Sequence, residues 1–145
     1  MCIRVLKPKL KNELEDEFIA YKVVGKKNKY SSTYYPIFFN TPIRLNKEIV
    51  KEDIEWSQEK CPYTHINWKP SPIYDYEKGI HLFINLESAR LGFNINGIPT
   101  HRRILCCRVR KEHILAIGIT NGQKVICVSK CIPLSVAKKS RYPSI

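Results

Sequence analysis

The sequence predicts an α+β domain, a small and mainly antiparallel sheet with one or two short helices, and three observations carry that expectation. Apolar, β-branched segments recur over 18–24, 80–84, 103–109 and 114–129. Two of these runs meet at Asn121-Gly122, the strongest short-range hairpin signal. Helix start and stop signals occur together in only one short stretch, 86–91. A chain of 145 residues that is 43% hydrophobic is long enough for one core. It is expected to form a single domain, 1–145, with a charged N-terminal arm over about 1–17 and a basic C-terminal tail over about 137–145.

In chain order, the first segment holds Pro8 and the acidic run Glu13, Glu15, Asp16, Glu17 after Lys7, Lys9 and Lys11, with no apolar period, and reads as an arm or a short helix. Residues 18–24 form a strand, and the polar turn 25–29 leads to a hairpin partner at 30–35. Prolines 36, 42, 62, 70 and 72 interrupt the middle, where a rough stripe of Ile49, Asp53, Ile54 and Trp56 allows one short helix between 46 and 59. The aromatic stretch 61–76 reads as an ordered loop whose rings pack on the core. A strand over 80–84 then feeds a helix capped by Asn85 and stopped at Gly92. After a turn at 96–99, alternation places Arg103, Leu105, Cys107 and Val109 on one strand face and Ile104, Cys106, Arg108 and Arg110 on the other. In the final hairpin, a type I′ turn sets Ile119 opposite Lys124 and Ile117 opposite Ile126.

Charge is distributed unevenly along the chain. Of a net +12, the stretch from Ser88 onward supplies eleven basic residues against one acid, Glu112. Such an excess bears on partners rather than on fold, and it favours nucleic acid or an acidic protein surface. The anion-binding candidates are Arg102, Arg103, Arg108, Arg110, Lys111 and Lys124, arranged as one cationic patch or two partial ones. Without an RNP, KH, helix-turn-helix or zinc-finger signature, sequence-specific reading is not expected.

Catalytic patterns are weaker. Phosphate loops, His-Glu-x-x-His helices and Gly-x-Ser-x-Gly elbows are missing from the sequence. Cys61 with His65 or His81 is a chance-level nucleophile pairing, and the acidic runs near Glu15 and Asp53 read as solvated faces. No Cys-x2-Cys pair is present, and Cys127 and Cys131 fall on one side of a single apolar strand, so neither a metal nor another cofactor is expected. Cys106, Cys107, Cys127 and Cys131 read as buried thiols of a reducing compartment. With no membrane-length apolar run and no signal-type N-terminus, the chain is expected to be soluble and intracellular.

The order of segments 21–24, 79–89 and 108–118 resembles small proteins encoded by phages and large DNA viruses. That resemblance implies a compact α+β domain with an accessory role, placed in host cytoplasm, nucleus or virion. The same layout also resembles a reduced ADP-ribosyltransferase core, which implies a nucleotide pocket lined by Tyr21, His81 and Glu112. Here the chain departs from that family, since no Arg-Gly or His-Gly pair follows Val24 and no Gln-x-Glu or Glu-x-Glu occurs late. The first expectation is therefore a non-catalytic binding protein, ahead of a protein-binding inhibitor or virion component and of a degenerate nucleotide-binding enzyme.

Overall fold

A computed structural model describes residues 3–26, 34–36, 42–53, 76, 79–95 and 102–137. Its elements are β1 (Val5–Leu6), β2 (Glu17–Lys26), β3 (Tyr34–Pro36), β4 (Ile49–Val50), β5 (Ile80–Phe83), α1 (Leu86–Ile95), β6 (Arg102–Arg110), β7 (Ile114–Thr120), β8 (Gln123–Val128) and β9 (Lys130–Val136). Short 3-10 turns at Pro8–Glu13, Lys51–Asp53 and Lys111–His113 join some of them. The strands form one sheet in the order β1-β7-β8-β5-β2-β6-β9-β4, with β3 paired to β2. All the pairings are antiparallel, so the fold is dominated by its sheet. No helix among the described residues is long and apolar enough to cross a membrane.

Two connections show that the sheet is rolled. In the strand order, β6 lies four places from β7, and β8 lies four places from β9. On a flat sheet each gap would be about 19 Å, at about 4.8 Å per strand. Yet β6 reaches β7 through Lys111–His113 alone, and β8 reaches β9 through Ser129. A residue spans at most about 3.6 Å, so the two halves of the sheet must come together at this end. The Ser129 N–H donates to the His113 carbonyl at 2.9 Å and ties the crossings to each other.

The inside of the curl is the main core. Ala20 and Val24 of β2, Leu105, Cys107 and Val109 of β6, Ile80 and Leu82 of β5, Ile117, Ile126 and Val128 of the β7–β8 hairpin and Ile49 of β4 pack in one cluster. A second cluster lies on the outer face, where Val23, Phe83, Ile104, Val125 and Cys127 are covered by Ile3, Tyr76 and Ala89 of α1. Ser88 donates to the Gln123 side chain at 2.6 Å and fixes the helix over this face. Toward the start of β2 and the end of β6, no other described element covers the outer face, and Ile19 is 40% exposed there.

The predicted alternation in β6 and the hairpin register are both present. Ile119 faces Lys124 and Ile117 faces Ile126, and Asn121 (φ 50°) and Gly122 (φ 78°) take the positive values that a type I′ turn needs. β3 pairs with β2 as the hairpin partner over Tyr34–Pro36; residues 27–33 of the connection lie outside the described residues.

Three expectations are corrected. Residues 46–53 form no α-helix: Asn46 sits in a turn at φ 63°, Ile49 and Val50 pair with Cys131 and Lys130 at the sheet edge, and only Lys51–Asp53 makes a single 3-10 turn. The buried side chain of Ile49 decides this, because a strand delivers it into the curl. The remainder of that helix, 54–59, lies outside the described residues. The helix at 86 does not stop at Gly92 but runs to Ile95, since one glycine costs a helix only about 1 kcal/mol. Cys127 and Cys131 do not share a strand face, because Ser129 separates β8 from β9 and the two thiols join different core clusters. β9 itself was masked in the sequence by Pro133. In the structure Pro133 faces Cys107 beside a bulge that takes up Leu134, an allowed strand position for a residue lacking an N–H.

The segment read as an arm is docked. Ile3 is fully buried, β1 pairs with β7, and Leu10 and Leu14 pack against the main core. Tyr76 of the aromatic stretch is buried in the outer cluster; residues 61–75, with Cys61 and His65, lie outside the described residues, as do the turn 96–99, His101 and the tail from 138.

Candidate anion-binding face

The β2–β6 ladder determines which charged side chains meet. Its register pairs Glu17 with Arg110, Ile19 with Arg108, Tyr21 with Cys106 and Val24 with Arg103. Directly opposed residues share a face, so Arg108 and Arg110 stand on the open outer face with Glu17 and Ile19, while Arg103 points to the other face at the opposite end of the ladder. β9 adds Ile132, opposite Arg108. Lys130 follows on the same face by alternation, and the 3-10 turn after β6 adds Glu112 and His113.

Of these, Glu17, Arg108, Arg110, Glu112, His113, Lys130 and Ile132 border an open groove of about 560 Å³, whose wall includes Glu48 from the turn before β4. Arg108 Nε lies 3.0 Å from Glu17 Oε1, and Arg110 Nε lies 3.4 Å from Glu112 Oε1. His113 Nε2 approaches the same Glu112 oxygen at 3.7 Å. All four side chains of the two arginine pairs are about half exposed or more. Exposed pairs of this kind contribute about 0–1 kcal/mol each. Such pairs open easily, and the groove carries three carboxylates, Glu17, Glu48 and Glu112, beside Arg108, Arg110 and Lys130.

The other predicted cations lie elsewhere. Lys124 Nζ pairs with Glu13 Oε2 at 3.2 Å, and Lys111 Nζ donates to the Leu14 carbonyl at 3.1 Å while its N–H donates to Asp16 O. Both hold the N-terminal segment against the sheet. Arg102 starts β6, and its side chain lies outside the described set. Only Arg108 and Arg110 of the six candidates share the groove; Lys130, counted in the charge excess but not singled out, joins them. The acidic run 13–17 is solvent-facing as expected, and it also supplies partners to the basic half through Glu13 and Glu17. No local pattern signals these pairings, which join residues about 90 to 111 positions apart.

Tyr21, His81 and Glu112 do not line one pocket. Tyr21 and His81 both lie on the outer face, but His81 is buried under Tyr76. The Tyr76 hydroxyl lies 2.8 Å from His81 Nε2 and accepts the Ile3 N–H at 2.9 Å. Burial, reinforced by the charge of Lys22, pushes His81 well below its ordinary pKa and keeps it neutral. Glu112 stands past Arg110, whose register partner Glu17 is four residues, about 13 Å, from Tyr21 along β2.

The interior holds a second concentration of polar chemistry. The Lys22 ammonium is partly buried and donates to the His81 carbonyl at 3.2 Å, beside the β2–β5 register pair Tyr21 with Phe83. Burial lowers its pKa, and the nearby sulfurs of Cys131, Cys107 and Cys127 act in the opposite direction. A hydrogen bond with Cys131, together with burial, holds the Cys107 thiol well above its ordinary value, and burial pushes Cys127 up to about 12. Cys107 and Cys127 are thus protonated at neutral pH and poor nucleophiles. Among the described residues, no group of three or more His, Cys, Asp or Glu side chains converges as a metal site.

Comparison of the chain with protein-family models, curated proteins and solved structures returns no match. The functional reading therefore rests on geometry and charge.

Proposed function

We propose that this is a non-catalytic binding protein that engages the phosphate backbone of nucleic acid through the open outer face of β2, β6 and β9. The observation that carries this reading is the projection of Arg108, Arg110 and Lys130 from one uncovered sheet face beside the exposed Ile19. Their carboxylate partners are weakly held, and the whole-chain charge of +12 draws polyanions toward the surface. A sheet face also offers bases a flat apolar surface, here Ile19 and the half-buried Tyr21.

The test is fluorescence anisotropy of a labelled 20-nucleotide poly(dT) across a salt series. Wild-type binding should weaken steeply with salt, and Arg108→Ala/Arg110→Ala/Lys130→Ala should flatten the dependence by about 0.7 per lost phosphate contact. Equal salt slopes in the two proteins would refute the assignment of this face. Binding to an acidic protein but not to poly(dT) would replace nucleic acid with a protein partner.

A further inference from the structure

Counting charge along the chain directs attention to the C-terminal half, but ion pairing in the folded protein shifts it. Arg108, Arg110 and Lys124 each meet a carboxylate. Arg4, Lys7 and Lys9 are all exposed, and none of them has an ion pair among the described residues. These three are also held in place. The Arg4 N–H donates to Ile119 O at 3.1 Å and the Lys7 N–H to Ile117 O at 2.9 Å, on either side of the β1–β7 register pairs Val5 with Ile119 and Leu6 with Gly118. Pro8 opens the 3-10 turn that carries Lys9, and Leu10 anchors that turn on the core.

Gly118 permits this docking. A Cβ there would come within 2.0 Å of the Val5 carbonyl oxygen and 2.5 Å of Ile3 Cγ2. The three cations thus stand on ordered backbone at the edge of the sheet, and Glu13, the carboxylate on the same turn, is taken by Lys124. Val5, between Arg4 and Lys7, is 44% exposed. Arg4 precedes and Lys7 follows the two-residue strand β1, and Lys9 stands on the 3-10 turn after it, so the three cations bracket the exposed Val5.

We infer that the docked strip Arg4–Lys7–Lys9 is a second phosphate-contacting surface, and that a nucleic acid strand lies along the β1 edge of the sheet. The inference rests on the partner class proposed above but on different residues. The chemistry is ionic: three exposed cations carried on ordered backbone replace the counterions of neighbouring phosphates. Anionic lipid is the competing partner for an exposed valine among cations.

The experiment extends the poly(dT) titration to Arg4→Ala/Lys7→Ala/Lys9→Ala, with far-UV circular dichroism melts to establish that the variant folds as wild type. Three contacts at about 0.7 each should flatten the salt slope by about 2 and weaken binding at about 0.1 M salt by roughly 100-fold. An unchanged slope in this variant, with wild type bound and the Arg108/Arg110/Lys130 variant impaired, overturns the strip and leaves the face reading standing. Loss in the strip variant alone supports the strip and overturns the face. Failure of wild type to bind poly(dT), with sedimentation on phosphatidylserine vesicles that the strip substitutions abolish, overturns both in favour of a membrane surface.

Discussion

Replacing Lys22 with Met should make the protein more stable at neutral pH. The ammonium is partly buried among apolar strands with the His81 carbonyl as its hydrogen-bond partner, and burial depresses its pKa below the ordinary 10.5. Exchanging a buried charge for an apolar side chain of similar volume stabilises by about 1–4 kcal/mol. Against this, the His81 carbonyl loses its donor, which costs about 1–3 kcal/mol. The midpoints of the two ranges leave a net gain of about 0.5 kcal/mol, a rise in Tm of roughly 1–3 °C. The pH dependence gives a second, independent readout. Below the native pKa both folded and unfolded chains hold the proton, so the penalty is fully present. Between the native pKa and 10.5 only the unfolded chain holds it, and wild-type stability climbs with pH by up to about 1.4 kcal/mol per unit. Above 10.5 the contribution vanishes. Urea denaturation of both proteins at pH 7 and pH 10 should therefore show a gap in favour of Lys22→Met that narrows at the higher pH. A variant less stable than wild type at pH 7, or a gap that does not change with pH, would mean that the ammonium is better solvated than its burial implies.

Two further substitutions probe the docking of the N-terminal segment. Gly118→Ala places a methyl group against the Val5 carbonyl and Ile3; it should cost about 2–3 kcal/mol, as for an overpacked site, and hydrogen exchange should show faster exchange at the Arg4 and Lys7 amides than at β8, whereas uniform protection would refute the steric account. Tyr76→Phe removes the hydroxyl shared by the Ile3 N–H and His81, and an expected loss of about 1–3 kcal/mol in thermal melts follows from leaving buried polar groups unpaired; a neutral effect would show that water replaces the hydroxyl.

Local chemistry made part of this fold legible. The turn at Asn121-Gly122 demanded positive φ, and alternation in 103–109 assigned each side chain of β6 to its face. The elements that escaped are those whose reason for existing is distant. β1 and β4 are two residues each, too short for any period, and they form because Ile3 and Ile49 are buried against strands far along the chain. β9 carries a proline that only the bulge opposite Cys106 and Cys107 accommodates. At the candidate face the arginine pair was readable from alternation, whereas Glu17 and Lys130 reach it only through ladder register. Exposed lysines near the N-terminus looked like an arm because nothing in residues 1–17 announces that Gly118 makes room for them.

The pairing of the two chain ends has a kinetic consequence. Glu13 meets Lys124 across 111 residues, and Glu17 meets Arg108, so the acidic stretch near one end and the basic stretch near the other attract each other before any strand has formed. Attraction between segregated charges shortens the search for distant contacts, which otherwise slows folding of sheets rich in non-local pairs. Refolding of this protein should consequently be faster in dilute buffer than in salt, where a Debye length of about 3 Å at 1 M removes the attraction.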